Sequence, residues 1–539
     1  MADRPRRAPV GATRLALPAL LALAAWLAIA LHRSGHSTGD DFALYLRQAR
    51  SVFDGDIGGV MADNRFGVVN SGPRFSPTGY PWGWPLVLAP FVRLWGLDYD
   101  RLKLLEVALY VAFLASFHGI ARRRLGRVAA LGLVAVFATA PAYLEYTNNL
   151  LSELPHLAAL GLFVAWLDRV EAHGGVLRAG VGRLVTLGLA AVAVFEVRRE
   201  GLVLVGVIAV AQLVALRREA APSGGPGSSP RALAIDRRAE LVAPHAAFVV
   251  GVVVAQLLLP TALLPDNDNS RSNIPTRLAE YPEILSSQLG LGMRSWIGLV
   301  VLALAVAGTV VGARRRPALD LPLAALVVLT ALTISTHFRR IDRYWFQVTP
   351  WVALLATGAL VALAGLVAPL GSTSGARRPG GGGSAGRWRR SAPALGALVV
   401  LAPLAVPVVA HATTLRRSIP AAMEFAEQGR VLDGPADPRS AVVYDVIEEL
   451  TRPDAIVAHH KSRTMTLLTD RRSLQTTDIE RIAERADFYA QRRGRWGTQP
   501  DVQESIDAGF VEVWSDERWI LWWIPGSSFP LPGTGGPDG

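Results

Sequence analysis

RLALPALLALAAWLAIAL, from Arg14 to Leu31, is an apolar run about long enough to cross a bilayer, and Asp40 and Asp41 follow soon after it. Ionised groups just outside such a run avoid most of the cost of burial in hydrocarbon, yet they stay close to lipid head groups. The stretch therefore predicts a membrane protein with chemistry at a membrane surface. A cleavable signal peptide is the alternative, but no clear small-residue cleavage site precedes His32, which favours a signal anchor.

The rest of the chain repeats the apolar pattern. Its 539 residues are 51% hydrophobic and only 18% charged. Further runs of membrane length lie near 102–121, 128–143, 153–168, 184–197, 201–216, 241–263, 293–312, 319–336, 347–369 and 393–412. Together with 14–31 they predict a polytopic α-helical membrane protein with about eleven transmembrane helices.

The positions of the arginines predict its orientation. Basic clusters lie between apolar runs, at 4–14, 122–127, 169–183, 217–238, 314–316 and 377–390. Cytoplasmic loops carry such an excess of positive charge, so we expect a multi-pass plasma-membrane protein with its N-terminus inside and its C-terminus outside. The net charge of +11 is thereby explained without nucleic acid as a partner, and membrane lipids are expected neighbours. The absence of cysteine excludes disulfides and thiolate metal sites.

The domain organisation follows from these runs. We expect a cytoplasmic N-terminus at 1–13 and a transmembrane domain at 14–412 with a large outer loop at 32–101. A small extracytoplasmic α/β domain is predicted at 413–527, because helices alternate there with short apolar strands, and a disordered tail at 528–539. Its predicted elements are helices 438–451, 462–468, 478–492 and 500–508, and strands 454–459, 472–476, 510–514 and 518–524.

The first loop holds the strongest motif. A helix beginning near Asp40 would place Asp41, Tyr45 and Gln48 on one face, although either aspartate could instead cap that helix. The segment SPTGYPWGWPLVLAP, 76–90, follows; its prolines and glycines between 77 and 85 are expected to exclude a regular helix, and its rings suit the bilayer interface.

These residues carry a resemblance. Gly39-Asp40-Asp41, ARSVFDG at 49–55 and the segment 76–90 resemble, in their order, the GT-C superfamily of polyprenyl-phosphate-sugar glycosyltransferases, which includes protein O-mannosyltransferases and aminoarabinose transferases. NNLLSELP at 148–155 looks like the second acidic site of that family, with Glu153 as the matching carboxylate. FEVRREG at 195–201 and DRYWFQVTP at 342–350 resemble two further segments of the family.

The resemblance implies an inverting transfer of a sugar from a polyprenyl-phosphate donor to a glycan, lipid or protein acceptor on the outer face. A first-loop aspartate would be the general base that takes the proton of the acceptor. Alignment on LYLR favours Asp40 and alignment on ARSVFDG favours Asp41, so both are candidates.

The leaving phosphate of such a donor needs cationic partners. The candidates are Arg198, Arg199, Arg339, Arg340 and Arg343, with Arg74 and Lys103 nearer the first loop. Other substrate contacts or a second acidic site are expected from Glu153, Glu200, Tyr45, Tyr80, Tyr344 and His337.

Two other classes of protein stay open. A transporter or flippase of lipid-linked or polar substrates would also carry intramembrane charges and broken helices, and a non-catalytic assembly protein could retain the same fold. No residues have convincing spacing for a metal site, so none is assigned, and a divalent metal stays an open alternative as a cofactor. His459 and His460 follow a predicted strand, point to opposite faces in that prediction, and are expected at the surface or at the acceptor.

Overall fold

The computed structural model describes residues 12–73, 75–220, 230–263, 274–337, 340–370, 385–494 and 497–531. Helices dominate these ranges, and one small sheet lies near the C-terminus. Outside them fall Arg74 and Arg339, two of the expected phosphate contacts, and most of the predicted N-terminal, glycine-rich and tail segments.

Helix α1, before the first loop, and the helices between that loop and the C-terminal region form the body of the protein. They are α1 (Ala12–Ala30), α5 (Tyr99–Leu125), α6 (Arg127–Ala138), α7 (Pro141–Tyr146), α8 (Glu153–Ala172), α9 (Val181–Val197), α10 (Val203–Ala220), α11 (Pro230–Asp236), α12 (Arg238–Leu258), α13 (Ile274–Gln288), α14 (Ser295–Arg315), α15 (Pro317–Ser335), α16 (Thr349–Leu370) and α17 (Ala385–Glu427). Two 3₁₀ turns, Arg199–Leu202 and Asp342–Gln347, interrupt the series.

Within the described ranges, seven helical stretches are long and apolar enough to cross a membrane. They are Tyr99–Leu125, Arg199–Ala220, Arg238–Leu258, Ser295–Arg315, Pro317–Ser335, Thr349–Leu366 and Leu395–Glu427. Leu15–Ala30 and Arg127–Ala138 are apolar but shorter. The helical membrane fold is thus as expected, while the count of about eleven spans and their orientation stay predictions.

A cluster of aromatic rings lies within the largely aliphatic core of this body. Trp351 on α16 meets Phe113 and Phe117 of α5 edge-on, with ring centroids 6.2 and 5.6 Å apart. At the end of α5 remote from the first loop, Arg124 donates to both carboxylate oxygens of Asp168 at 2.5 and 2.9 Å and to Asp320 at 3.0 Å. All three side chains are buried, so this ion cluster ties α5 to α8 and α15.

The first loop folds into three helices, α2 (Asp41–Asp54), α3 (Ile57–Asn70) and α4 (Gly83–Trp95). The helix predicted to begin near Asp40 is present. The expectation that the prolines and glycines between 77 and 85 exclude a regular helix is wrong for residues 83–85. Helix α4 begins at Gly83, and Pro85 lies in its first turn, where its missing N–H costs no hydrogen bond. A Cβ at Gly83 would lie 2.6 Å from the backbone of Glu196, so glycine lets α4 start directly against α9.

Helix α17 leads into the C-terminal domain without a break at residue 412, where the transmembrane domain was predicted to end. The domain contains α18 (Pro438–Leu450), α19 (Ser462–Thr469), α20 (Ile479–Arg485) and α21 (Val502–Asp507). Its strands are β1 (Ile456–His459), β2 (Arg472–Leu474), β3 (Phe488–Arg492), β4 (Val511–Ser515) and β5 (Trp519–Trp523), in the order β2-β1-β3-β5-β4. β1 is parallel to β2 and β3, and β5 is antiparallel to β3 and β4.

Two predictions for this domain are wrong in part. The helix expected at 478–492 ends at Arg485, and its second half is the buried central strand β3, because Phe488 and Tyr489 pair with β1 and β5. The first residues of the tail predicted at 528–539 are ordered, because Phe529 is buried and its carbonyl accepts a hydrogen bond of 2.9 Å from Trp523, and residues 532–539 lie outside the described ranges.

Candidate active site

Asp41 is the first residue of α2, and both of its carboxylate oxygens are occupied. Tyr80 donates its hydroxyl to Oδ1 at 2.7 Å, and Arg343 donates Nη2 to Oδ2 at 2.9 Å. Burial alone would raise the pKa of Asp41, but Arg343 and the Tyr80 hydroxyl outweigh it and hold that pKa below its usual value. Asp41 is therefore an ionised acid in the resting site.

Asp40 faces the C-terminal domain. It stands at the N-cap position of α2, yet its side chain makes no capping hydrogen bond there. Instead its Oδ1 accepts the backbone N–H of Arg463, in the first turn of α19, at 3.2 Å. Lys461 lies 3.8 Å from Oδ2, and Gln475 donates to that oxygen at 2.9 Å when its amide nitrogen is turned toward it. Asp40 thus contributes to docking of the domain rather than to capping of its own helix.

Burial distinguishes the two aspartates as well. It raises the pKa of Asp40 in spite of the opposing charges of Lys461 and Arg463. The Asp40 side chain is 11% exposed and the Asp41 side chain 35% exposed. Of the two carboxylates that the sequence could not separate, Asp41 is the more accessible.

A row of alternating charges leads away from Asp41. Arg343 also pairs with Glu153 at 3.0 Å, and Arg198 joins Glu153 at 3.2 Å to Glu200 at 2.9 Å. Glu153 and Glu200 come from separate helix starts, and Arg343 comes from the 3₁₀ turn after α15. The structure therefore brings the expected second acidic site next to the first.

Tyrosines fill the space around this row. The rings of Tyr45 and Tyr80 lie 4.6 Å apart, and Tyr45 donates to Ser152 at 3.0 Å. The guanidinium of Arg198 lies 4.9 Å from the ring of Tyr344, and His337 meets the same ring edge-on at 5.0 Å. Burial and the charge of Asp41 raise the pKa of Tyr80, so its hydroxyl stays protonated and donates.

Arg463 is the residue that the sequence did not reveal. It donates to the Tyr80 hydroxyl at 3.2 Å, to Asn64 at 2.9 Å and to the Pro77 carbonyl at 2.8 Å, and it stacks over Phe75. It is buried, and it comes from a domain 383 positions beyond Tyr80. The only signal was its place just after the apolar strand β1, where α/β domains often present functional groups.

Three of the predicted phosphate contacts point elsewhere. Arg199 pairs with Glu196 at 3.2 Å, and Arg340 pairs with Asp342 at 3.0 Å, so neither reaches the acidic row. Lys103 is buried and donates to the carbonyls of Arg33, at 2.7 Å, and Gly35. A cation that closes the turn after α1 in this way has a structural role.

Two cavities meet at this site. The first, about 770 Å³, is lined by α7, α13 and the turn that carries Arg343, and Arg33, Glu145, Asn148 and Gln288 are among its polar groups. The second, about 690 Å³, lies between the first loop and the C-terminal domain and contains Asp40, Asp41, Lys461 and Arg463. Ser37, Asn149 and Arg343 line both. Two ligands bound in these cavities would thus both border Arg343.

The described histidines and acids were also compared with the requirements of a metal site. No group of three or more metal-binding side chains comes together within the described ranges. The expectation that His459 and His460 lie on opposite faces at the surface is wrong: both are buried, and their rings lie 4.4 Å apart against Trp519, because β1 ends between them. The carboxylates of Asp41 and Glu153 are held by Arg343, so no step is assigned to a metal.

Comparison with solved structures identifies the fold. The chain is similar to ArnT from Cupriavidus metallidurans in the apo state, with a TM-score of 0.53 and 14% identity over 95% of this chain and 97% of that one. ArnT from the same organism bound to undecaprenyl phosphate matches with a TM-score of 0.52 and 14% identity over 96% and 98%. The apo oligosaccharyltransferase of Archaeoglobus fulgidus matches with a TM-score of 0.51 and 11% identity over 90% and 70%.

No protein-family model matches the chain, and neither does any curated protein sequence. The structural likenesses nevertheless extend over nearly the whole chain, from the membrane helices to the C-terminal domain. The chain therefore has the GT-C fold that its motifs predicted.

Proposed function

We propose that this chain is a membrane glycosyltransferase that moves a sugar from a polyprenyl-phosphate donor to an acceptor on the outer face of the plasma membrane, with Asp41 as general base. The observation that supports it most is the position of Arg343. This guanidinium lines both cavities and binds Asp41 and Glu153 at once. A cation between two ligand spaces, beside an accessible carboxylate, fits a transfer from a phosphorylated donor to a second substrate.

The two cavities differ in a way that assigns a substrate to each. The first is lined mostly by the helical body, with Leu432 as its contribution from the C-terminal region, and a lipid carrier can approach the helical body from the bilayer, so we assign this cavity to the donor. The structurally similar ArnT has been seen with undecaprenyl phosphate, which supports this class of donor. The second is partly built by the C-terminal domain and contains Asp41, and we assign it to the acceptor, whether a glycan, a lipid or a protein.

The reaction then follows from the contacts. Asp41 takes the proton from the acceptor hydroxyl or amine as that atom attacks the anomeric carbon. The bond from the anomeric carbon to the phosphate oxygen breaks, and its electron pair leaves with polyprenyl phosphate. Arg343, with Arg198 behind it, would hold the charge on that phosphate through paired hydrogen bonds. A single displacement inverts the anomer.

Arg343 couples the two halves of this reaction. In the resting site it lowers the pKa of Asp41, which makes Asp41 a weak base. A donor phosphate would draw the guanidinium away, and Asp41 would become more basic once the donor is bound. The base would therefore be activated by its co-substrate.

Asp40 is the poorer candidate for the base. Although burial raises its pKa, its oxygens are engaged by α19 and by Gln475, and its side chain is the less exposed of the pair. A general base must first lie within hydrogen-bond distance of the proton that it removes, and only then does its basicity matter.

The test uses purified full-length protein in liposomes with a panel of polyprenyl-phosphate sugars and candidate acceptors. Release of polyprenyl phosphate and formation of a glycosylated product are expected from the wild type, and Asp41→Asn should abolish both. Asp98→Asn is the control, because asparagine replaces the helix cap of α5 at little cost. Sugar transport without release of polyprenyl phosphate would instead establish a transporter or flippase.

A further inference from the structure

A third, smaller cavity lies between α2 and α4, on the first loop. Its volume is about 300 Å³, and its lining shares no residue with the two cavities that meet at Arg343. Arg50, Phe53, Asp54, Val92, Arg93 and Leu97 are among the residues that line it. We call it the α2–α4 groove.

Two guanidinium groups enter this groove without a protein partner. Neither Arg50 nor Arg93 forms an ion pair or a side-chain hydrogen bond with any other described residue, including Asp54 in the same groove. Arg47, one turn earlier on α2, is by contrast paired with Asp63 at 2.9 Å. Two unpaired cations against one acid leave the groove with a net positive charge, which fits a single phosphate diester.

The surface beside the groove is apolar. Phe53 on α2 is 55% exposed and Leu94 on α4 is 72% exposed, and Leu86 and Val87 add further exposed area on α4. Such a face is costly in water and favourable among acyl chains. α4 also ends only a few residues before α5, which is long and apolar enough to cross a membrane. The groove therefore lies beside the end of a helix that could cross a membrane, and lipid head groups would be at that level if α5 spans the bilayer.

We infer that the α2–α4 groove binds one anionic phospholipid of the surrounding bilayer. Arg50 and Arg93 hold the phosphate, and Phe53, Leu94 and Leu97 contact the acyl chains. The lipid is structural rather than a substrate, because the groove shares no residue with the cavities that contain Asp41. Arg50 and Asp41 lie on the same helix, about 14 Å apart along its axis. A bound lipid therefore fixes the helix from which Asp41 projects.

The test compares the purified chain in nanodiscs of phosphatidylcholine alone, with added phosphatidylglycerol and with added phosphatidylethanolamine. Phosphatidylglycerol should be retained in native mass spectra and should raise the midpoint of thermal unfolding. Arg50→Gln combined with Arg93→Gln should lower its retention by about 30-fold, and each single variant by about fivefold, as expected when each arginine adds a similar attraction.

Arg65→Gln is the matched control, because Arg65 is an exposed arginine of the same loop and has no ion pair within the described residues. It should retain phosphatidylglycerol as the wild type does. Equal retention by the single variants and the control would overturn the inference, and so would a preference for phosphatidylethanolamine. If the double variant fails to fold, retention of phosphatidylglycerol by the two single variants decides the test. Lipid retention is measured without turnover, so this result is independent of the proposed reaction.

Discussion

Arg343 donates a hydrogen bond of 2.9 Å to Asp41 although 302 positions separate the two residues. The same guanidinium lies 3.0 Å from Glu153. One arginine thus connects the first loop, the start of α8 and the turn before α16. Substitution of Arg343 should therefore disturb three things at once: the charge balance of the site, the orientation of Asp41 and the contact with a donor phosphate.

Arg343→Gln should lower the rate of sugar transfer by about 10²- to 10³-fold, as expected when a donor to a developing oxyanion is lost. Arg343→Lys should recover part of this rate, because an ammonium keeps the charge but does not match the planar fork of guanidinium. Arg340→Gln is the control, since Arg340 lies on the same segment and pairs with Asp342 instead. Initial rates in membranes with supplied donor decide the outcome, and equal loss in both glutamine variants would contradict the assignment.

The two aspartates should behave differently. Asp41→Asn should lower the rate of transfer by about 10²- to 10⁴-fold, the usual contribution of a general base. Asp40→Asn should cost less than Asp41→Asn but should loosen α19, because the carboxylate that accepts the Arg463 N–H is replaced by a neutral amide. Transfer rates and limited proteolysis of the C-terminal domain would be measured side by side. A larger rate loss in Asp40→Asn would reverse the two roles.

The pH profile should respond to Tyr80. Asp41 must be ionised to accept a proton, so kcat/KM falls as pH drops through its pKa. Because the Tyr80 hydroxyl helps to lower that pKa, Tyr80→Phe should move the acid limb of the profile to higher pH, by about one unit. Tyr45→Phe removes a neighbouring hydroxyl that binds Ser152 instead, and it should leave the limb in place. An unshifted limb in Tyr80→Phe would show that the bond does not tune the base.

Arg463 should act through Tyr80. Arg463→Gln removes the hydrogen bond that holds the Tyr80 hydroxyl against Asp41, so it should shift the acid limb in the same direction as Tyr80→Phe. The charge of Arg463 also lowers the pKa of Asp41 directly, so the double variant should shift the limb further than either single variant, but by less than the sum of the two shifts. Arg472→Gln is the matched control, since Arg472 is an exposed arginine that pairs with Asp63. Additive shifts in the double variant would exclude this route.

The ion cluster at the other end of α5 should govern stability. Arg124→Gln removes the buried cation that Asp168 and Asp320 share, although Arg316 still pairs with Asp320 at 3.2 Å, and it should lower the free energy of unfolding by about 3–5 kcal/mol. Arg123→Gln should cost less than about 1 kcal/mol, because Arg123 is partly exposed and 3.9 Å from Asp168. Denaturation in detergent micelles measures both. A loss for Arg124→Gln as small as that expected for Arg123→Gln would mean that the cluster contributes little to stability.

Much of the candidate site could be predicted because its parts lie in local motifs. Asp41, Glu153, Arg198 and Arg343 each stand at a helix start or turn beside an apolar run, and the topology placed those ends together. Arg463 could not be found in this way, because its contacts with Asp40 and Tyr80 depend on how a separate domain packs against the first loop. Strand β3 was not predicted for a related reason. The residues from Asp478 onward favour a helix locally, and pairing of β3 with β1 and β5 overrides that preference.

Helix α17 has 43 residues and is therefore about 65 Å long, roughly twice the thickness of the hydrocarbon core of a bilayer. Because this helix runs without a break into the C-terminal domain, the number of its residues sets the distance and the rotation of that domain relative to the helical body. Inserting a single residue into its projecting part would turn the domain by about 100° and raise it by about 1.5 Å. The contact between Arg463 and Asp40 therefore depends on the number of residues in α17, although neither residue belongs to that helix.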